Sequence, residues 1–266
     1  MHDTALEYGA LFFKTYTDSE GPFKVLDLGS QDVNGSLRTV APKTAEYIGV
    51  DFADGKGVDI KITDPYKLPF EDNFFDVAVS SSCFEHSEFF WLSFLELIRV
   101  LKPTGLLYIN VPSNGSFHRY PVDCWRFYPD SAIALQNWAH QNGYIATVLL
   151  ESFVGVQKND IWNDFVAVFI KSKKYAFSYE KRMINALTEY SNAHLIGSEE
   201  VLNLKDQSFD QSIINKQKEE VIHLKKQIQT QENLLNLITN SRSWKITKPL
   251  RFIKKRIRTW TQKTSR

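Results

Sequence analysis

Six short β-rich runs recur between residues 24 and 171, KVLDLG, YIGVDF, FDVAVSS, LLYINVP, IATVLLES and DFVAVFIK, and most are separated by stretches with helical patterning. That alternation constrains the chain more than any other feature. Strands that alternate with helices pair in parallel, because the crossover carries the chain back to the same end of the sheet. The fold class expected is therefore α/β: a doubly wound, mainly parallel sheet with helices on its faces. The last two runs are joined by a short loop with no crossover helix, so they read as an antiparallel pair at the sheet edge. A leading helix is expected over residues 2–17. A second spans Phe89 to Leu101 and ends at Lys102, Pro103 and Gly105, since proline lacks the donor a helix needs. A third covers Ser131 to Gln141, with Asp130 or Ser131 capping it and Gly143 closing it.

In a doubly wound sheet the ligand lies beyond the carboxyl ends of the strands, where the first strand turns. Here that turn reads VLDLGSQDVNGSL, Val25 to Leu37. Gly29 lets the backbone approach a ligand and Gly35 lets a helix entry pack closely. A dinucleotide site calls for three glycines that seat a pyrophosphate on a helix N-terminus. This loop instead places Asp27 and Asp32 near the turn, where carboxylates repel a pyrophosphate and suit a cation. S-adenosylmethionine, with its sulfonium, its amino group and no phosphate, matches that loop better than NAD. Asp51 ends the strand YIGVDF and is placed to accept both ribose hydroxyls, although an aspartate after a strand also commonly forms a turn.

In this order and spacing, VLDLGSQDVNGSL, YIGVDF, TDPYKLPFEDNFFDVAVSSSCFEH and RVLKPTGLLYINVPS resemble the successive motifs of class I S-adenosylmethionine-dependent methyltransferases, over residues 24–171. The likeness implies a Rossmann-like methyltransferase fold with S-adenosylmethionine as cofactor. It implies that Asp27, Gly29 and Gly35 contact or admit the methionine end, that Ser30 belongs to the cofactor site, that Asp51 holds the ribose and that Phe52 flanks the adenine. Asp64 would reach the adenine amino group, and Ser81 would lie beside the cofactor. The glycine loop departs from many relatives, with Ser30 and Gln31 where they have a further glycine.

Methyl transfer from a sulfonium is an in-line displacement, and a hydroxyl acceptor must also lose a proton. His86, in CFEH after the fourth motif strand, and His118, in the loop after the fifth, fall at the ligand edge, and either imidazole can take that proton. His118 is the first candidate base because its loop is unlike a structural connector. His86 alternatively braces the cofactor. The loop Ser113 to Phe127 gathers Arg119, Tyr120, Asp123, Trp125 and Arg126, flat faces beside charged groups, as a carbohydrate pocket requires. The same residues would equally cover the sheet, with Asp123 and Arg126 as a local ion pair. HRYPVDCWRFYPD resembles a segment of bacterial methyltransferases from polysaccharide gene clusters. Cys83 and Cys124 are too few for a zinc site, and no metal is expected.

A different pattern follows. The methyltransferase domain is expected over residues 1–172, a partly helical connector over 173–210, a coiled coil over 211–239 and a basic amphipathic tail over 240–266. Ile214, Val221, Ile228 and Leu235 fall at heptad position a, with Gln217, Leu224, Gln231 and Ile238 at d, over a helix of about 43 Å. Self-association is the natural consequence, with dimer and trimer both open; a lone amphipathic helix is the alternative. The formal net charge of +1 averages unlike parts, because residues 241–266 carry ten of the 32 Lys and Arg and no acid. Trp244 and Trp260 bracket this basic segment, which suits an anionic membrane surface through 241–260, ahead of nucleic acid or a protein partner. SRSWKITKPLRF resembles tails of bacterial glycosyltransferases and related polysaccharide-assembly proteins, which implies a glycosyltransferase partner.

The N-terminus lacks the pattern of a signal peptide, two cysteines suit a reducing compartment, and no apolar run approaches the roughly 20 residues of a spanning helix. The expectation is a cytoplasmic protein, peripheral on the inner face of the membrane. Its substrate would be a sugar hydroxyl or terminal phosphate of a lipid-linked bacterial polysaccharide such as O-antigen, with methylation capping the chain. The alternatives are a lipid or quinone methyltransferase at the membrane and a non-catalytic scaffold.

Overall fold

The computed structural model describes residues 3–17, 21–158 and 161–254. The chain divides into two compact units, Met1–Asp206 and Gln207–Arg266.

The first unit is built on one eight-stranded sheet. Its strands are β1 (Phe23–Leu28), β2 (Ala45–Asp51), β3 (Ile60–Lys61), β4 (Phe75–Ser81), β5 (Leu101–Pro112), β6 (Val148–Val154), β7 (Asp164–Ile170) and β8 (Ser191–Leu195), in the order β3-β2-β1-β4-β5-β7-β6-β8. β1 pairs in parallel with both β2 and β4, and β4 with β5. β7 inserts antiparallel between β5 and β6. All six motif-bearing runs become strands of this sheet, and the class is α/β as the alternation requires.

Side chains alternate across a strand, so the sheet has two apolar faces to cover. On one lie α2 (Phe90–Val100) and α3 (Ser131–Gln141), whose Phe94, Leu97, Leu135 and Ala139 join Leu26, Ala78 and Leu107. On the other lies α1 (Asp3–Tyr16), whose buried Ala5, Tyr8, Phe12, Phe13 and Tyr16 recur at helical spacing and meet Val25, Val77 and Tyr108. A fully buried Phe such as Phe12 contributes about 1.5–3 kcal/mol through the area it removes from water.

Four expectations need correction. No α-helix follows Gly35; the chain makes one 3-10 turn, Leu37–Thr39, capped by the Ser36 hydroxyl, and Pro42 soon removes a donor that a longer helix would need. The expected connector from residue 173 is part of the first unit up to Asp206. Its 3-10 turns, Lys173–Ser178 and Met183–Ala186, bury Ala176, Met183 and Ile184 against the sheet. β8 then adds antiparallel to β6 and becomes the outer strand, so the expected edge pair lies inside the sheet. Asp130 precedes α3 without a capping bond from its side chain, which instead meets His194 Nε2 at 3.1 Å.

The second unit begins with α4 (Phe209–Asn240), 32 residues long, entered at Ser208, whose hydroxyl accepts from Gln211 N–H. At 1.5 Å per residue this helix is about 48 Å long. It matches the expected 211–239 helix to within two residues at each end, and none of its residues is buried. α5 (Arg242–Ile246) follows, entered at Ser241. The tail residues from 255 onward, Trp260 included, lie outside the described residues.

Candidate active site

The chain leaves β1 toward one side of the sheet and β4 takes it to the other, which opens a crevice at the carboxyl ends of β1, β2 and β4. A cavity of about 1080 Å³ occupies that crevice. It is larger than the roughly 300–1,000 Å³ usual for one small ligand.

Its first half comes from the turn after β1. Gly29 has φ of +84°, and a Cβ there would sit 2.6 Å from the Cys83 side chain, so no other residue fits without displacing the turn after β4. Gly35 also has positive φ, at +123°, and its N–H donates to Asp32 Oδ1 at 2.8 Å. Asp27 is buried and accepts a hydrogen bond from the Tyr47 hydroxyl at 2.7 Å. Burial pushes its carboxyl up to about 7. Asp51 accepts from Gln31 N–H at 3.2 Å and Ala53 N–H at 3.1 Å, which fixes its carboxylate at the end of β2. Phe52 beside it is half exposed at the cavity wall. The hydroxyls of Ser30 and Ser81 are buried there without a hydrogen-bond partner among the described residues. Two acids, two unpartnered hydroxyls and a turn without Cβ suit a ligand carrying a cation, an amino group and ribose hydroxyls. That is the chemistry of S-adenosylmethionine, and Asp27, Gly29, Ser30, Gly35, Asp51, Phe52 and Ser81 all line the cavity. Asp64 does not: it is exposed, and its carboxylate accepts from Tyr66 N–H at 2.8 Å in its own turn. Pro65 and Tyr66 stand at the wall in its stead.

The second half comes from two loops that meet. After β4 the 3-10 turn Phe84–His86 presents Glu85 and His86, and the Glu85 carbonyl accepts from both Cys124 N–H and Trp125 N–H. Those two bonds hook the long irregular loop after β5 onto the β4 turn. His86 Nδ1 lies 2.5 Å from the Val122 carbonyl oxygen, which fixes the ring and leaves Nε2 with its lone pair. Burial lowers the pKa of His86, so its ring is neutral near pH 7. Glu85 is 2% exposed, and burial pushes its carboxyl up to about 8. Asp123 and Arg126 form a bidentate pair, at 2.5 and 2.8 Å, and the guanidinium holds the acid down at about 2. Asp123 also accepts from His118 N–H at 2.7 Å, so the pair sets the position of that histidine. The His118 ring packs edge-on against both His86 and Trp162, with centroids 4.9 Å apart in each case.

Of the residues expected to meet the acceptor, His86, His118, Arg119 and Tyr120 line the cavity, whereas Asp123, Trp125 and Arg126 do not. Asp123 and Arg126 act one layer back, on the loop itself. Trp125 donates its indole N–H to the Ser87 carbonyl and packs on Phe90 and Trp91, the covering role left open above. Glu85, Gln31, Tyr66 and Trp162 also line the wall, and sequence reading passed over them. Only Glu85 had a visible signal, as the acid beside His86 in CFEH.

Residues 27–109 match the protein family described as methyltransferase domain. No curated protein is a match to the chain. Among solved structures it is similar to the 1,6-didemethyltoxoflavin-N1-methyltransferase of Burkholderia thailandensis, with 14% identity, 64% of this chain and 79% of that one covered, and a TM-score of 0.50. The PH0226 protein of Pyrococcus horikoshii OT3 is 18% identical, with 63% and 88% covered and a TM-score of 0.42. The YcgJ protein of Bacillus subtilis is 14% identical, with 64% and 96% covered and a TM-score of 0.40. The family match spans the strands and turns that build the first half of the cavity, and with the strand order it makes this part of the chain similar to S-adenosylmethionine-dependent methyltransferase domains.

Proposed function

We propose that this chain methylates a hydroxyl, or a terminal phosphate oxygen, of a lipid-linked bacterial polysaccharide and thereby caps the chain. The observation that carries the reading is the second half of the cavity, where His86, His118, Arg119, Tyr120 and Trp162 form one wall next to the cofactor half. Flat rings suit the CH faces of a sugar, and an arginine suits hydroxyl or phosphate oxygens. When bound, S-adenosylmethionine supplies an electrophilic methyl group on a sulfonium. The Burkholderia enzyme was crystallised with S-adenosylhomocysteine, the product of such a transfer, which supports the same occupant here.

Asp27 faces the amino group in this reading, Asp51 takes the ribose hydroxyls, Phe52 flanks the adenine, and Gly29, Ser30, Gly35 and Ser81 admit the rest. Much of the rate comes from holding the acceptor oxygen in line with the methyl carbon. A hydroxyl acceptor loses its proton beside the histidine pair. The exposed apolar heptad positions of α4 favour self-association, and the basic segment after it favours an anionic membrane surface and a glycosyltransferase assembly.

Val33, half exposed at the cavity, favours a second reading in which the acceptor is a lipid or quinone. The test is transfer of a labelled methyl group from S-adenosylmethionine to lipid-linked glycan and, separately, to glycan-free membrane lipid. Label in the glycan that disappears with Asp27→Ala supports the first reading. Label only in the lipid fraction moves the acceptor to the second, and no transfer to either by a protein that binds the cofactor overturns both.

A further inference from the structure

Glu85, His86 and His118 each offer a ligand atom, and these atoms lie within 4.8 Å of one another at the cavity wall. His86 Nε2 is 3.7 Å from Glu85 Oε1. Three features set this group apart from a chance meeting of polar side chains. The first is Glu85 itself: the side chain is 2% exposed, it lines the cavity, and its Oε2 has no hydrogen-bond partner among the described residues. A buried carboxylate oxygen without a partner is costly unless something cationic meets it. The second is the arrangement behind the rings. Nδ1 of His86 is engaged by the Val122 carbonyl, and Nδ1 of His118 lies 3.2 Å from the Ser116 carbonyl oxygen and 3.4 Å from the Asp123 carboxylate. Arg126 Nη2 also contacts His118 Nδ1, but at 3.5 Å it is farther than the two acceptors; acceptors at Nδ1 draw the ring proton there and leave the lone pair on Nε2, the way histidines that bind metals are held. The third is charge. Arg126 stands close to this group, but Asp123 takes its guanidinium through two hydrogen bonds, so it makes no hydrogen bond to Glu85 Oε2 and the place beside that oxygen is left for another cation.

We propose that Glu85, His86 and His118 bind one divalent transition-metal ion of the Zn²⁺ type, whose remaining coordination positions face the cavity and take the acceptor's oxygen. Two imidazoles and one carboxylate are a donor set for such ions, whereas Mg²⁺ and Ca²⁺ are taken by oxygen. Three protein ligands leave coordination open, which distinguishes a site that receives substrate from a closed structural one. The role of the ion rests on the methyl-transfer reading above. A hydroxyl held on it becomes more acidic and loses its proton to water, the oxygen–methyl bond forms as the carbon–sulfur bond breaks, and the electron pair of that bond leaves with the thioether. The ion stays divalent throughout. The two histidines thus act as ligands, and the proton leaves through the metal-bound oxygen rather than to a ring nitrogen.

The test uses the full chain, freed of metal with a chelator and titrated calorimetrically with Zn²⁺ and, separately, Mn²⁺. The expected result is binding of one Zn²⁺ per chain at micromolar or lower concentration. Glu85→Gln and His118→Asn should each weaken it by about 100-fold, the upper end of what loss of a ligand's outer partner costs. His118 is on a partly exposed loop, so its variant keeps the test available if Glu85→Gln does not fold. S-adenosylhomocysteine binding by both variants should match the parent chain, which shows that the cofactor half is intact. Failure of the parent chain to bind either ion, or equal affinity in the parent and both variants, overturns the site. Zn²⁺ binding by a folded parent chain that does not bind S-adenosylhomocysteine leaves the metal site standing and overturns the methyl-transfer reading instead.

Discussion

Asp27 shows how a single residue couples the fold to its ligand. It sits at the end of β1, buried, with one carboxylate oxygen taken by Tyr47 and a pKa raised by burial to about 7. In the proposed assignment, where Asp27 faces the amino group, binding favours the carboxylate over the acid, so S-adenosylhomocysteine should bind about tenfold more weakly for each pH unit below 7 and reach a plateau above it. Asp27→Asn should abolish that dependence and lower the affinity; titrations at pH 5.5, 6.5 and 8 check both. Gly29→Ala meets two penalties, a left-handed φ and a Cβ at 2.6 Å from Cys83, and should destabilise this turn by more than the roughly 1 kcal/mol that an unstrained exchange gains. That Asp27, Gly29 and Asp51 line the cavity was legible in the sequence because their positions are fixed by the strand that precedes them. The place of Asp64 was not, because it lies in an irregular turn where a side chain can satisfy its own backbone. Glu85 was passed over because its place at the wall depends on a loop nearly forty residues later hooking onto its carbonyl.

At the scale of elements, one buried acid ties three pieces of the first unit together. Glu151, on β6, accepts from the Tyr16 hydroxyl on α1 and from the N–H groups of Met183 and Ile184 in the second 3-10 turn of residues 173–206. Burial raises its pKa, so the folded chain holds this proton more tightly than the unfolded chain does. Its contribution to stability is complete below the ordinary value near 4.5 and is lost as pH rises through the raised value. Glu151→Gln should flatten that slope in urea unfolding between pH 5 and 8. It should also cost about 1–3 kcal/mol, because an amide turned to accept from Met183 faces the Ile184 N–H with a second donor. Phe12→Ala on α1 should cost about 3–5 kcal/mol by opening a cavity on the same face. The six long strands could be read from their β-rich runs. β8 could not, since only five residues form it and Ala193 is its one buried side chain. Its strand character comes from pairing with β6, a contact that local pattern does not carry.

For the whole molecule, the two units bury their apolar residues in different ways. The first encloses them on both faces of a sheet; the second leaves Ile214, Val221, Leu224, Ile228, Leu235 and Ile238 at 43–59% exposure along α4. A 32-residue helix with such a stripe is expected to pair with a second copy, so light scattering should give an oligomer for the full chain. Leu224→Lys with Ile228→Lys should return it to a monomer, and no change in mass would rule the stripe out as the interface. Among the described residues no helix is long and apolar enough to cross a membrane. Ile246, Leu250 and Ile253 are exposed next to Lys245, Lys248 and Lys254, so anionic vesicles should retain the full chain and lose a chain ending at residue 240. Retention of the shortened chain would exclude this segment as the anchor. The heptads and the basic segment were plain in the sequence, because each is a local repeat.

The antiparallel insertion of β7 has a consequence for how such a molecule can change. Because β7 runs against β5, the loop that leaves Pro112 and the loop that enters Asp164 emerge at the same rim, and His118 and Trp162 meet there. The cofactor wall is contributed largely by β1, β2 and β4. If the acceptor binds at this rim, as proposed, its selectivity would be lodged in two neighbouring surface segments, replaceable as a cassette while the half of the crevice built on β1, β2 and β4 is inherited unaltered.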